Sequence, residues 1–174
     1  MDNLIIFCAK YLIFILVLVV FLIWLKAAAK IRWQFAAAVV LAGVTAFALS
    51  KIIGALYYHP RPFMVQNIQP LISHGYDNGF PSDHTLLAMT LSTVVYYYRR
   101  RLAAGLFGLT LLVGIGRVLA HVHSPLDILG GLILGAFAGW AGYQLAKKLL
   151  PANDHSPRSK ESESSTHSTP SKGL

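Results

Sequence analysis

Hydrophobic residues run almost unbroken through five stretches of this chain, and the polar residues gather in the gaps between them. The stretches are residues 4–25, 33–57, 85–98, 102–120 and 126–146. A helix of about 20 apolar residues crosses the hydrocarbon core of a bilayer, so these runs predict an all-α integral membrane protein with about five transmembrane helices. The third is short: fourteen residues at about 1.5 Å each cover about 21 Å of a core about 30 Å thick. Its outer end is therefore recessed or continues upward through Pro81. The first run begins Met-Asp-Asn rather than with basic residues and is longer than a signal-peptide core, so it is read as a retained span.

The long polar gap is residues 58–83. Its prolines, together with Phe63, Met64, Val65, Ile68 and Leu71, predict a folded lid with an interfacial face. After Pro151 the chain turns polar and serine-rich with no apolar period. The expected organisation is a membrane-embedded domain over residues 1–150 and a disordered cytoplasmic tail over 151–174. Gly131, Gly135 and Gly139 recur at four-residue spacing and form a small-residue face for helix packing.

Composition agrees with the pattern: 55% of the 174 residues are hydrophobic and 13% charged, too apolar for an ordinary soluble domain. Charge adds orientation. Lys26, Lys30 and Arg32 follow the first run, Arg99, Arg100 and Arg101 the third, and Lys147 and Lys148 the fifth. Five crossings put all three clusters on one side, which the positive-inside rule makes cytoplasmic, and Trp24, Trp33 and Trp140 fall near the same ends. The N-terminus and the lid then lie outside. Most of the +8 net charge is this topology signal, so nucleic acid is not an expected partner. Lys10, inside the first run, is read as snorkelling outward, with the bundle interior as the alternative. A lone cysteine, Cys8, excludes an intrachain disulfide.

Three polar clusters meet at the predicted outer ends: Lys51 with Arg61-Pro62, then Pro81-Ser82-Asp83-His84, then Arg117 with His123 and Asp127. Ionisable residues at membrane depth are costly and mark function. Arg61, Arg117 and Lys51 suit an oxyanion, and Ser82 with the amides of Asp83 and His84 opens a helix, where anions bind. Ser124-Pro125 starts the last helix and places Asp127 in its first turn, within reach of His123. A histidine held by a carboxylate is nucleophilic or basic, and His84 adds a second imidazole for proton transfer. The bland alternatives are a helix cap for Asp127 and an interfacial role for Arg61. A metal bound by His84, His121, His123 and Asp127 is the sharper rival, disfavoured because the surrounding cations repel a divalent ion.

Arg61-Pro62, Pro81-Ser82-x-His84 and Arg117-x5-His123-x3-Asp127 resemble the three-part signature of the type 2 phosphatidic acid phosphatase superfamily, shared with vanadium haloperoxidases. With His59-Pro60-Arg61-Pro62-Phe63 and Pro-Ser-Asp-His, the chain looks most like bacterial undecaprenyl-diphosphatases of the bacitracin-resistance type. The resemblance implies that His123 attacks phosphorus, Asp127 orients it and His84 protonates the leaving group. It implies that Arg61, Arg117, Ser82, Asp83 and Lys51 line the phosphate site, with no metal and no cofactor. The implied substrate is a polyprenyl diphosphate, cleaved outside the bacterial cytoplasmic membrane to recycle a carrier lipid. Phosphatidylglycerophosphate or phosphatidate is the alternative substrate, and a non-catalytic anion- or lipid-binding membrane protein the alternative class. The sequence leaves the oligomeric state open. Two departures stand out: nine residues rather than six separate Lys51 from Arg61, leaving His59 as a substitute, and Asp83 stands where glycine is common. The family core has six helices, and the sixth here is either the lid or absent.

Overall fold

The computed structural model describes residues 1–151; the predicted tail lies, beyond Pro151, outside them. Among the described residues six helices make up the fold. They are α1 (Asp2–Leu25), α2 (Ala29–Leu56), the one-turn α3 (Pro62–Gln66), α4 (Asp83–Tyr98), α5 (Arg100–Leu119) and α6 (Pro125–Leu149). Four of them, α1, α2, α5 and α6, are long and apolar enough to cross a membrane. The predicted third span exists as α4, but its 16 residues reach only about 24 Å, short of the hydrocarbon core. The lid segment contributes one helical turn rather than a sixth span.

Consecutive long helices run up and down. The basic residues at the end of α1, the start of α2, the α4–α5 junction and the end of α6 therefore gather at one end of the bundle. Lys26 and Arg99 share a crevice there, and Gln34 donates to the carbonyl of Leu150 at 2.9 Å. The three candidate clusters lie at the opposite end.

Leu16, Phe35, Val94, Val95 and Leu106 from α1, α2, α4 and α5 form the main apolar core, while Phe14, Val44, Phe47 and Ile133 face outward, as lipid-facing positions do. Within the core Ser92 and Thr110 join α4 to α5 at 3.0 Å. The glycine stripe of α6 sets the closest approach. A β-carbon on Gly131 would stand 2.9 Å from the Ser82 carbonyl, one on Gly135 2.6 Å from the Leu86 carbonyl, and one on Gly139 2.7 Å from the Thr90 carbonyl. Backbone thus lies on backbone along α4 and α6, which brings Ser82 beside Asp127: the Ser82 amide donates to the Asp127 carbonyl at 3.1 Å.

α1 is not uniform. Residues Phe7–Tyr11 form a π-helical turn, and Ala9 in it is fully buried against α5 at Gly116. Such turns are rare and concentrate at functional sites.

Gly135→Ala should destabilise the protein by about 1–3 kcal/mol through overpacking, because the clash is with backbone. Gly108→Ala, where a β-carbon meets nothing within 4 Å, should be neutral. Thermal unfolding of the two variants in detergent, followed by loss of the monodisperse chromatographic peak, compares them; equal midpoints would remove the close-packing role of the stripe.

Candidate active site

The α5–α6 connection is built by the first turn of α6. Ser124 is its N-cap and Pro125 its first residue; the Asp127 amide donates to the Ser124 hydroxyl at 3.2 Å and the Ser124 amide donates to Asp127 Oδ2 at 2.7 Å. This reciprocal capping box fixes Asp127 at zero exposure. On the other oxygen, His59 Nδ1 donates to Asp127 Oδ1 at 2.8 Å. His123 Nδ1 faces Oδ2 at 3.5 Å, long for a hydrogen bond, as catalytic contacts commonly are before substrate binds.

Two guanidiniums converge on the other nitrogen of His123. Arg117 Nη2 donates to His123 Nε2 at 3.1 Å, and Arg61 Nη1 lies 3.2 Å from the same atom and 3.5 Å from Nδ1. Because both partners are donors, Nε2 is the unprotonated nitrogen and the proton sits on Nδ1, towards Asp127. Burial, with the charges of Arg117 and Arg61, outweighs the opposing pull of Asp127 and keeps the His123 pKa below its ordinary value. His123 is therefore a neutral imidazole whose lone pair points at two cations.

Arg61 is 4% exposed and fully engaged. Its Nε donates to Asp77 Oδ1 at 2.8 Å, Nη1 to the Val122 carbonyl at 2.9 Å and Nη2 to the Asn78 carbonyl at 3.3 Å. Burial raises the Asp77 carboxyl pKa, but the hydrogen bond and charge of Arg61 more than offset it, leaving it below the ordinary carboxylate range. Arg117, also buried, donates to His74 Nε2 at 2.7 Å and to the Ala9 carbonyl in the π turn at 3.4 Å, while its Nε has no partner among the described residues. His74, His84 and Arg117 line one cleft of about 490 Å³, whose other walls are Ile6, Lys10 and Phe14 of α1 and Leu71, Ile72 and Ser73 of the lid. Such a volume suits a ligand head group.

The lid is pinned by residues that carry no signature. The Asn78 side chain donates to the carbonyls of Gly54 and Tyr57 and accepts from the amides of His59 and Phe80. Leu71 donates its amide to the Ala120 carbonyl, and Leu71 and Ile72 pack on Ala120 and Val122. A β-carbon on Gly79 would lie 3.1 Å from Asp127 Oδ2 and 3.0 Å from the His59 carbonyl, so this turn closes tightly over the carboxylate.

Arg61, His84, Arg117, His123 and Asp127 are thus brought together. Ser82 lies against the first turn of α6, its hydroxyl fully buried and accepting from Thr85 at 3.3 Å. Lys51 and Asp83 are placed differently from the sequence expectation. Asp83 accepts from Ser50 at 2.7 Å, and with Lys51 it lines a separate crevice between α2 and α4. The Lys51 ammonium lies over the Phe47 ring, 5.5 Å from its centroid. His59, the expected substitute, contacts the carboxylate of Asp127 instead. His121 is exposed in a left-handed conformation, φ 62°, and stays outside the cluster. Sequence reasoning assigned no role to His74, Asp77 and Asn78, which lie in an irregular loop.

Burial, followed by the Arg61 and Arg117 charges, lowers the His74 pKa from 6.5 to about 4. The unfolded chain takes up this proton near pH 6.5 and the folded chain near pH 4, so the unfolded state binds more protons between them and stability falls with pH. Between pH 7 and 4.5 the unfolding midpoint of His74→Gln should fall less than that of the parent. Parallel pH curves would refute the coupling.

The PAP2 superfamily profile matches residues 32–151. The chain is 31% identical over 157 residues to undecaprenyl-diphosphatase BcrC of Bacillus subtilis, covering 88% of this chain and 79% of that protein. It is 33% identical over 150 residues to a Bacillus licheniformis protein named bacitracin transport permease protein BcrC, covering 86% and 73%. The crystal structure of Aquifex aeolicus LpxE shares the fold, with TM-score 0.59 and 24% identity over 82% of each chain. The matched region contains Arg61, His84, Arg117, His123 and Asp127, and the chain belongs to the PAP2 superfamily.

Proposed function

We propose that the chain is a phosphatase of the outer face of the bacterial cytoplasmic membrane that cleaves undecaprenyl diphosphate to the monophosphate and inorganic phosphate. The observation that carries this reading is His123, whose Nδ1 faces Asp127 while Nε2 stands between Arg61 and Arg117. The similarity to a protein named undecaprenyl-diphosphatase supports the substrate.

In the reaction His123 Nε2 forms a bond to the terminal phosphorus and the bond from phosphorus to the bridging oxygen breaks. The guanidiniums of Arg61 and Arg117 turn from Nε2 to the equatorial oxygens, where charge gathers in the transition state. His84, on the cleft wall, gives a proton to the bridging oxygen, and the lipid monophosphate leaves. Water, deprotonated by His84, then attacks the phosphohistidine. The N–P bond breaks, phosphate departs and His123 is restored. Asp127 stabilises the positive charge on His123 throughout.

Arg61 and Arg117, which converge on His123, supply the positive charge that meets the phosphate. A transport role, as in the name of the second relative, is less well supported, because anion binding alone does not call for an imidazole with an oriented lone pair. The basic clusters at the far end of the bundle support the outer side of the membrane for the site.

In detergent, phosphate release from undecaprenyl diphosphate should persist in chelator, be inhibited by vanadate, and fall about 10²–10⁴-fold in His84→Ala. His123→Ala should be inactive; full turnover by that variant would sink the nucleophile assignment. In intact cells carrying Cys8→Ala, an impermeant thiol reagent should label a cysteine at Gly75 and spare one at Lys148. The reverse pattern would move the enzyme to cytoplasmic-face lipids.

A further inference from the structure

Lys10 is the one lysine that lines the cleft of His74, His84 and Arg117. It is an exposed residue within an apolar span, where an ammonium is uncommon and often marks function. The π turn explains its placement. Ala9 is buried against Gly116, and its carbonyl accepts from Arg117 Nη1, so one backbone irregularity both anchors Arg117 and sets the next residue on the cleft wall. Among the described residues Lys10 has no carboxylate partner and no hydrogen bond; its ammonium rests 5.4 Å from the centroid of the Tyr11 ring.

No carboxylate lines this cleft, so Lys10 and Arg117 leave it with positive charge to spare. His123 and Arg61 mark the end where the terminal phosphate reacts. Ile6 and Phe14 flank Lys10 along α1, and Phe14, 66% exposed, leads outward to where a lipid tail would lie. A head group reacting at His123 with its tail leaving past Phe14 must cross Lys10.

We propose that Lys10, displayed by the π turn of α1, binds the lipid-side phosphate of a diphosphate head group whose terminal phosphate is held by Arg61 and Arg117, and so sets the preference for diphosphates over single-phosphate lipids. This deepens the proposed function and rests on it for the order of the two phosphates. The ammonium also stabilises the monophosphate as the P–O bond breaks, since the leaving group gains negative charge there.

The test compares the parent with Lys10→Met, of similar length and at home in lipid, and with Lys10→Arg. Two measurements are made on detergent-solubilised full-length protein. The first is kcat/KM for undecaprenyl diphosphate relative to that for dioctanoyl phosphatidate. The ratio should fall at least tenfold in Lys10→Met and be largely restored in Lys10→Arg. The second is inhibition of phosphatidate hydrolysis by inorganic pyrophosphate and by inorganic phosphate. Lys10→Met should weaken pyrophosphate at least tenfold more than it weakens phosphate. An unchanged ratio with unchanged pyrophosphate inhibition would overturn the proposal, as would equal losses on both substrates and both inhibitors. A parent that hydrolyses phosphatidate but not undecaprenyl diphosphate would instead overturn the substrate reading, and pyrophosphate inhibition would still decide whether Lys10 holds a second phosphate.

Discussion

The whole catalytic end of this protein depends on the burial of one carboxylate. Asp127 is fully enclosed, and an unpaired charge there would be untenable. It is stabilised by donors from three parts of the chain: the Ser124 amide at the helix start, His59 at the end of α2, and His123 in the preceding turn. The positive end of the α6 dipole adds to them. Each donor also fixes its own element. Satisfying Asp127 therefore docks the α2–lid junction onto the α5–α6 turn, and the close approach of Gly79 seals the arrangement. A structural need and a chemical one coincide, because the same carboxylate sets the tautomer of His123.

The second constraint is repulsion. Arg61 and Arg117 both point at His123 Nε2, and two buried like charges at such range are unfavourable. The arrangement persists because each guanidinium is held from behind: Arg61 by Asp77 and two carbonyls, Arg117 by His74 and the π-turn carbonyl. On the proposed function, an entering phosphate relieves it. The lowered pKa of His74 belongs to the same logic, since a protonated imidazole there would add a third positive charge to the pair. The pocket is thus organised for an anion before one binds, which is how electrostatic preorganisation acts in catalysis.

Much of this was legible in the sequence because spacing along a helix is rigid. Ser124, Pro125 and Asp127 specify a capped helix start, which places His123 just outside it, and the four-residue glycine repeat marks the face on which α4 rests. What escaped were placements set by rotation and by irregular backbone. Lys51 and Ser50 are neighbours in sequence at the correct end of α2, yet that face meets Asp83 across a different crevice. A span that is apolar all round offers no moment from which to read a facing side, so both readings of Lys10 stayed open. The π turn that aims it has no signature in residue types. His59, His74 and Asn78 act through loop geometry, which neither helical nor strand periodicity reveals.

The short α4 ties these features to the bilayer. With Arg99–Arg101 at the head groups of one face, a helix of about 24 Å leaves its other end roughly 6 Å below the opposite edge of a core about 30 Å thick. Ser82 and His84 begin at that recessed end, beneath a lid whose Val65 and Tyr76 are exposed at interfacial height. A phosphate bonded to a membrane-embedded chain approaches this end from the adjoining head-group layer, whereas a soluble phosphate ester would have to leave water to reach it. On the proposed function, the shortness of α4, the apolar lid and a cleft flanked by Ile6 and Phe14 act as one selection for phosphates that arrive from within the membrane.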